Sequence, residues 1–121
     1  MILGILAATA LPKFIDLSGE ASTAAVGGVA GALSSAASIN YGARKASAGA
    51  KGIALTAANV CTDTATTAGG LMQGGAMPAN YTFDAAVTGN CSGAAADGTS
   101  VTCKINGQNG KTANATVICV N

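Results

Sequence analysis

Residues 1–11 are almost unbroken in apolarity, and no charge appears until Lys13. At about 1.5 Å per residue, a helix of that length covers roughly half of a bilayer's hydrocarbon core. It is too short to span alone. It also lacks the basic front region and the cleavage site of a secretory signal. The stretch reads as the back half of a membrane helix. Pro12 has no amide hydrogen to donate and crowds the turn before it, so a local loosening is expected around Gly4 to Pro12. Lys13, Asp16 and Glu20 then mark the exit from apolar surroundings.

Helical spacing continues over residues 18–46. Val26, Val29, Leu33, Ala36, Ala37 and Tyr41 fall on one stripe. Gly27, Gly28 and Gly31 oppose the helix by roughly 1 kcal/mol each relative to alanine. The helix must therefore be held by packing, and a glycine face allows another backbone to approach closely. Arg44 and Lys45 suit the negative end of the helix dipole, and Gly49 is the expected stop. Residues 50–80 are the least regular. An extended run is expected within 51–60, then a short helix capped by Asp63 and reaching about Met72, closed by Gly74, Gly75 and Pro78.

After Asn80 the period changes to that of strands. Three runs qualify: 81–87, 99–105 and 113–120. Asp97-Gly98 lies in the first connection, and residues 106–110 (Asn-Gly-Gln-Asn-Gly) form a hairpin turn. Three strands with short links make an antiparallel meander. One face must cover something apolar, and the helix supplies the one long apolar stripe. The expected fold class is α+β, with one long N-terminal helix packed by its second half on a three- to four-stranded antiparallel sheet. Residues 1–49 form the helical part, with 1–12 a hydrophobic assembly or membrane segment and 13–49 packed on the head. Residues 50–121 form the loop and the sheet.

Composition sharpens this picture. A chain of 121 residues is one domain by size. Half of it is hydrophobic, but much of that is alanine, and the aromatics are only Phe14, Tyr41, Tyr81 and Phe83. At about 25 cal/mol per Å² of apolar area, such a core stabilises weakly. Cross-links or a partner must help. Cys61, Cys91, Cys103 and Cys119 are the candidate cross-links. With no Cys-x-x-Cys pair and no histidine, zinc and thioredoxin-like chemistry are disfavoured, and two disulfides in an oxidising compartment are expected. With the hairpin turn centred near Gln108, Cys103 faces the region of Asn114 and Cys119 lies near Gly98. This register favours Cys91–Cys119 and Cys61–Cys103 over the other two connectivities.

The charge balance of +1 offers no basic stripe for nucleic acid. Catalysis is not expected, because a nucleophile would have to use lysine or a carboxylate as its base and the five acids show no tight pair. No cofactor is expected and no metal site is assigned. Asp84 and Asp97 are weak calcium candidates, for which solvated turn residues are the simpler account. Asn80, Asn90 and Asn114 begin glycosylation-type triplets, which arise by chance in chains rich in Asn and Thr.

Gly4-Ile5-Leu6-Ala7-Ala8, followed by Ala10-Leu11-Pro12-Lys13-Phe14, resembles the second half of the N-terminal helix of type IV pilins. The continuation Ile15-Asp16-Leu17-Ser18-Gly19-Glu20-Ala21 is similar to the mannose-sensitive-haemagglutinin branch of that family. The resemblance implies a leader, a peptidase site, an N-methylated Phe and a Glu that would all precede Met1. The registration Glu therefore falls on no residue here. It implies storage in the bacterial inner membrane, processing by a prepilin peptidase, extraction by assembly machinery with a motor ATPase, and polymerisation with copies of itself. The product would be an extracellular pilus filament serving adhesion and motility. Ile2, Leu3, Ile5, Leu6, Leu11, Phe14 and Ile15 would be the packing surface, and Gly4 and Pro12 would let the helix loosen. A pseudopilin of type II secretion or a minor pilin is the alternative within the family. A DNA-uptake receptor is the alternative outside that role.

Overall fold

In a computed structural model of the chain, the backbone is described for residues 2–121 and the side chains for residues 18–121. Helix α1 (Ile2–Ala46) leads into a long loop and then a three-stranded sheet of β1 (Thr82–Phe83), β2 (Ser100–Asn106) and β3 (Thr112–Ile118). The strand order is β1-β2-β3, antiparallel throughout. This is an α+β, pilin-like layout, with α1 packed chiefly along β3.

The face of α1 that meets the sheet carries Ser22, Val26, Ala30, Leu33, Ala37 and Asn40, all buried. Their spacing of three and four residues is that of one helix face. Val29 and Tyr41 flank this stripe and are partly buried, while Ala36 sits at its margin. The helix ends where Ala48 and Gly49 turn to positive φ. Against the stripe lie Leu55, Val60, Ile105, Val117 and Val120, together with all four cysteines.

The sheet register departs from the expected one by about a residue. Asn106 pairs with Thr112, so the hairpin is centred on Asn109, and Cys103 lies opposite Ala115 rather than Asn114. Asn109 takes a φ of 55°, which asparagine tolerates better than most residues. The first strand is much shorter than residues 81–87. The Asp84 side chain accepts the amide of Ala86 at 3.0 Å, and the Val87 amide bonds the Asp84 carbonyl at 3.1 Å. That side-chain turn diverts the backbone from the ladder after one more bond, from the Asp84 amide to Lys104. The third strand stops at Ile118, and Val120 then bridges to Leu55 within the expected extended run.

Asp63 does not cap a helix. Its carboxylate accepts the amide of Met77 at 2.7 Å, and the helical turn that forms is the short 3-10 piece Ala68–Leu71 behind Thr67. Thr67 Oγ1 engages the carbonyls of Thr62 and Thr64 instead. A Cβ at Gly69 would come within 2.6 Å of the Asp63 backbone, so the loop closes on itself there only with glycine.

Two interleaved disulfides close the head. Cys61–Cys103 ties the loop to β2, and Cys91–Cys119 ties the β1–β2 connection to the residue after β3. They span 42 and 28 residues. Chain-entropy arguments give such loops about 4 and about 3.5 kcal/mol. Small domains have a net stability of only about 5–15 kcal/mol, so each bridge is a large fraction of it. Breaking either bridge, by a Cys→Ala pair or by reduction, is expected to lower Tm by roughly 10 °C or more, read by calorimetry with and without reductant.

Asn40 is the second device that holds loop to helix. Its Nδ2 donates to the Ile53 carbonyl at 2.9 Å and its Oδ1 accepts the Ile53 amide at 2.7 Å. The side chain thus completes a two-bond ladder that backbone would otherwise supply. Gly52 makes the approach possible, since a Cβ there would stand 2.6 Å from Asn40 Oδ1. Asn40→Ala leaves both Ile53 groups unpaired and is expected to destabilise by about 2 kcal/mol. A denaturant midpoint that moves by much less with unchanged slope would count against this assignment.

Candidate assembly surface

One side of α1 is consumed by the head, and the opposite side is left uncovered. Gly27, Gly28, Gly31 and Gly42 are exposed, and a Cβ at any of them would meet nothing within 4 Å. Glycine is therefore not required at these four positions by contacts within the chain. The opposite, buried side needs its residues. Val26 packs against Gly107 at the hairpin, where a Cβ would come within 2.9 Å of it.

Polar contacts fix the helix against the sheet at three levels. At its near end, Asn109 Nδ2 donates to Ser22 Oγ at 2.7 Å, and that hydroxyl donates to the Ser18 carbonyl at 3.0 Å. Midway, the Thr116 amide on the outer edge of β3 donates to Ser34 Oγ at 3.0 Å. This bond satisfies a group that an edge strand otherwise leaves open. At the far end, Arg44 Nε donates to the Asn121 carbonyl at 2.8 Å.

Ile39 is the one large hydrophobic side chain among the described residues that stands exposed, at 73%. It borders the uncovered glycine face on one side and the loop on the other. By length and composition alone, Ser18–Ala46 is a helix near the N-terminus able to cross a membrane. The same stretch supplies Val26, Ala30, Leu33 and Ala37 to the head's core.

Two lysines and two carboxylates are tied in pairs. Lys45 pairs with Asp97, and Lys104 Nζ lies 3.2 Å from Asp84 Oδ2. The two carboxylates weighed as calcium ligands thus each face a lysine. Among the described residues no group of three or more metal-ligating side chains comes together. Lys45 is the main cause that holds Asp97 below the usual carboxylate range, followed by the Asn121 amide that Asp97 also accepts. Asp84 is lowered first by the Ala86 amide and then by Lys104.

Ile2, Leu3, Gly4, Ile5, Leu6, Leu11, Pro12, Phe14 and Ile15, the packing residues implied by the pilin resemblance, lie outside the residues whose side chains are described. The expected loosening around Gly4 to Pro12 does not divide the helix, which runs as α1 from Ile2 to Ala46. The four cysteines are all in place as two bridges. Sequence reading missed Ser22, Ser34, Asn40 and Asn109, whose hydrogen bonds fix the head on the helix. It also missed Ile39, whose exposure carries the most functional information. Compared with protein families, with curated proteins and with solved structures, the chain gives no match.

A carboxylate whose folded pKa is depressed stabilises fully above its unfolded value, and that stability is lost as pH falls through the folded one. Both carboxylates start from 3.8, so the window lies below about pH 4. Tm is expected to hold flat down to that point and then fall. The Asp84→Asn, Asp97→Asn double variant should fall less steeply there, read by thermal melts between pH 2 and 6.

Proposed function

We propose that this chain is a structural subunit of a type IV pilus filament. In this reading the helices bundle at the filament axis and the disulfide-stapled sheet faces outward. Before assembly the apolar segment lies in the bacterial inner membrane, and afterwards the subunit is extracellular. The main support is the uncovered face of α1, where Gly27, Gly28 and Gly31 have open space around them. A soluble head gains nothing from three exposed mid-helix glycines, which cost it roughly 1 kcal/mol each. Close packing between identical helices gains from them, because small residues let backbones approach. The uncharged run of residues 1–11 points the same way, since an all-round apolar helix needs cover on every side. Two buried disulfides suit a head that works in an oxidising space outside the cell. The resemblance of residues 4–21 to the mannose-sensitive-haemagglutinin branch of type IV pilins adds the family in which these properties occur together.

The glycines provide a test in which fold and function move in opposite directions. Gly27→Ala and Gly28→Ala together are expected to raise the monomer's Tm, by up to about 2 kcal/mol of added stability. They are also expected to reduce filaments in sheared cell-surface material, counted by electron microscopy with antibody labelling along the fibre. Fibres as abundant as those of the parent chain would remove the reason for glycine at these positions. Label confined to fibre tips would favour a minor pilin instead.

A further inference from the structure

The chain has two Asn-Gly pairs, Asn106-Gly107 and Asn109-Gly110, both in the β2–β3 hairpin. Glycine has no Cβ to shield its backbone nitrogen, so an asparagine before it is open to attack on its own side-chain carbon. The fold treats the two pairs differently. Asn106 lies in β2 and is paired on both sides, with Thr82 on β1 and Thr112 on β3. The Gly107 amide donates to the Lys111 carbonyl at 2.8 Å, and a Cβ at Gly107 would stand 2.9 Å from Val26. Asn109 and Gly110 stand at the tip, outside both strands, and are exposed together with Gln108. A Cβ at Gly110 would meet nothing within 4 Å. We propose that Asn109 is a site of spontaneous deamidation, and that its conversion releases the hairpin from α1. The inference stands apart from the filament reading.

The reaction needs water and no other reagent. The Gly110 backbone nitrogen gives up its proton and bonds to Asn109 Cγ. The Cγ–Nδ2 bond breaks, and the side-chain nitrogen leaves with that proton as ammonia. Water then adds to one of the two carbonyls of the cyclic imide, breaks its bond to nitrogen, and leaves aspartate or isoaspartate. Closure requires Asn109 to leave its left-handed turn, at φ 55° and ψ 32°. The tip is held there by the Asn109–Ser22 bond at 2.7 Å and by the Lys111 amide on the Gln108 carbonyl at 3.1 Å. A local opening of the exposed turn therefore suffices. At Asn106 the same rotation would break pairing to two strands. The product cannot keep the contact that the asparagine made. Asn109 Nδ2 donates to Ser22 Oγ, and that hydroxyl donates its own hydrogen to the Ser18 carbonyl at 3.0 Å. A carboxylate in place of the amide sets acceptor against acceptor there. Isoaspartate also adds a carbon to the backbone of the turn. Either product loosens the near-end joint between sheet and helix, so the head carries a record of its age.

The test incubates the full, oxidised chain in warm, mildly alkaline buffer. Samples are digested with trypsin at mildly acidic pH, and fragment-ion spectra of the Ile105–Lys111 peptide separate the two asparagines. Asn109 is expected to convert at least about tenfold faster than Asn106 in the folded chain, and the gap is expected to close in the reduced, denatured chain. Asn106 converting as fast as Asn109 in the folded chain would overturn the inference. So would an Asn109 that stays intact while the denatured chain converts both. For the consequence, Asn109→Asp is expected to lower Tm by about 5 °C. It is expected to lower Tm far less where Ser22→Ala has already removed the contact. An Asn109→Asp chain that melts with the parent, or that loses as much in both backgrounds, would sink the release of the hairpin.

Discussion

The head can cover only one side of its helix. It offers a three-stranded sheet with a first strand of two residues, and a core built largely of valine, alanine and cystine. A helix has a circumference, and one small sheet meets only the stripe from Ser22 through Val26 and Leu33 to Asn40. The rest of α1 faces outward. Between Ala21 and Gly42 its outward residues are glycine, alanine, serine, threonine and Ile39, with no charge among them.

The same shortfall explains how the head holds together. With little apolar area to bury, stability must come from constraint, and the constraints are interleaved. The loop closed by Cys61–Cys103 contains Cys91, and the loop closed by Cys91–Cys119 contains Cys103. Neither half of the head can open without straining the other. Hydrogen bonds do the rest at points where a larger protein would use side-chain volume: Asn40 on Ile53, Ser34 on the β3 edge, Asn109 on Ser22. Each joins α1 to a different part of the head, so the helix is fixed by polar contacts at several heights along it.

The legible parts of the sequence were those governed by a single strong period or a single covalent rule. Helical spacing gave Val26, Leu33 and Ala37 as inward residues, and alternation with Asn-Gly turns gave β2 and β3 and their hairpin. Once that hairpin is placed, even a residue off, Cys119 falls at the end of the sheet nearest Cys91, leaving Cys61 for Cys103. The rest was hidden because it is decided by side chains that act locally against the period. Asp84 cuts the first strand short by bonding its own neighbour's amide, and no alternation pattern carries that information. Asp63 looks like a helix cap, yet its oxygen serves Met77, fourteen residues on. Asn40 is a polar residue on the helix's inner face. It can be read as a clamp only once the loop is known to return there.

Ile39 is the most informative of these omissions. On sequence it is one apolar residue in a helix full of them. In the fold it stands on the boundary between the open glycine face and the loop groove, 73% exposed. A lone exposed isoleucine on a compact domain needs no explanation. This one continues an uncharged surface on both sides. It also lies on α1, and residues 1–11 carry no charge. Burial that one molecule cannot achieve, two can. The demand is directional, because the apolar end and the uncovered side lie at different heights on one rod. A neighbour that satisfies the first at one level leaves its own end unsatisfied at the next. In the proposed filament, that mismatch is what would let the contact repeat from copy to copy.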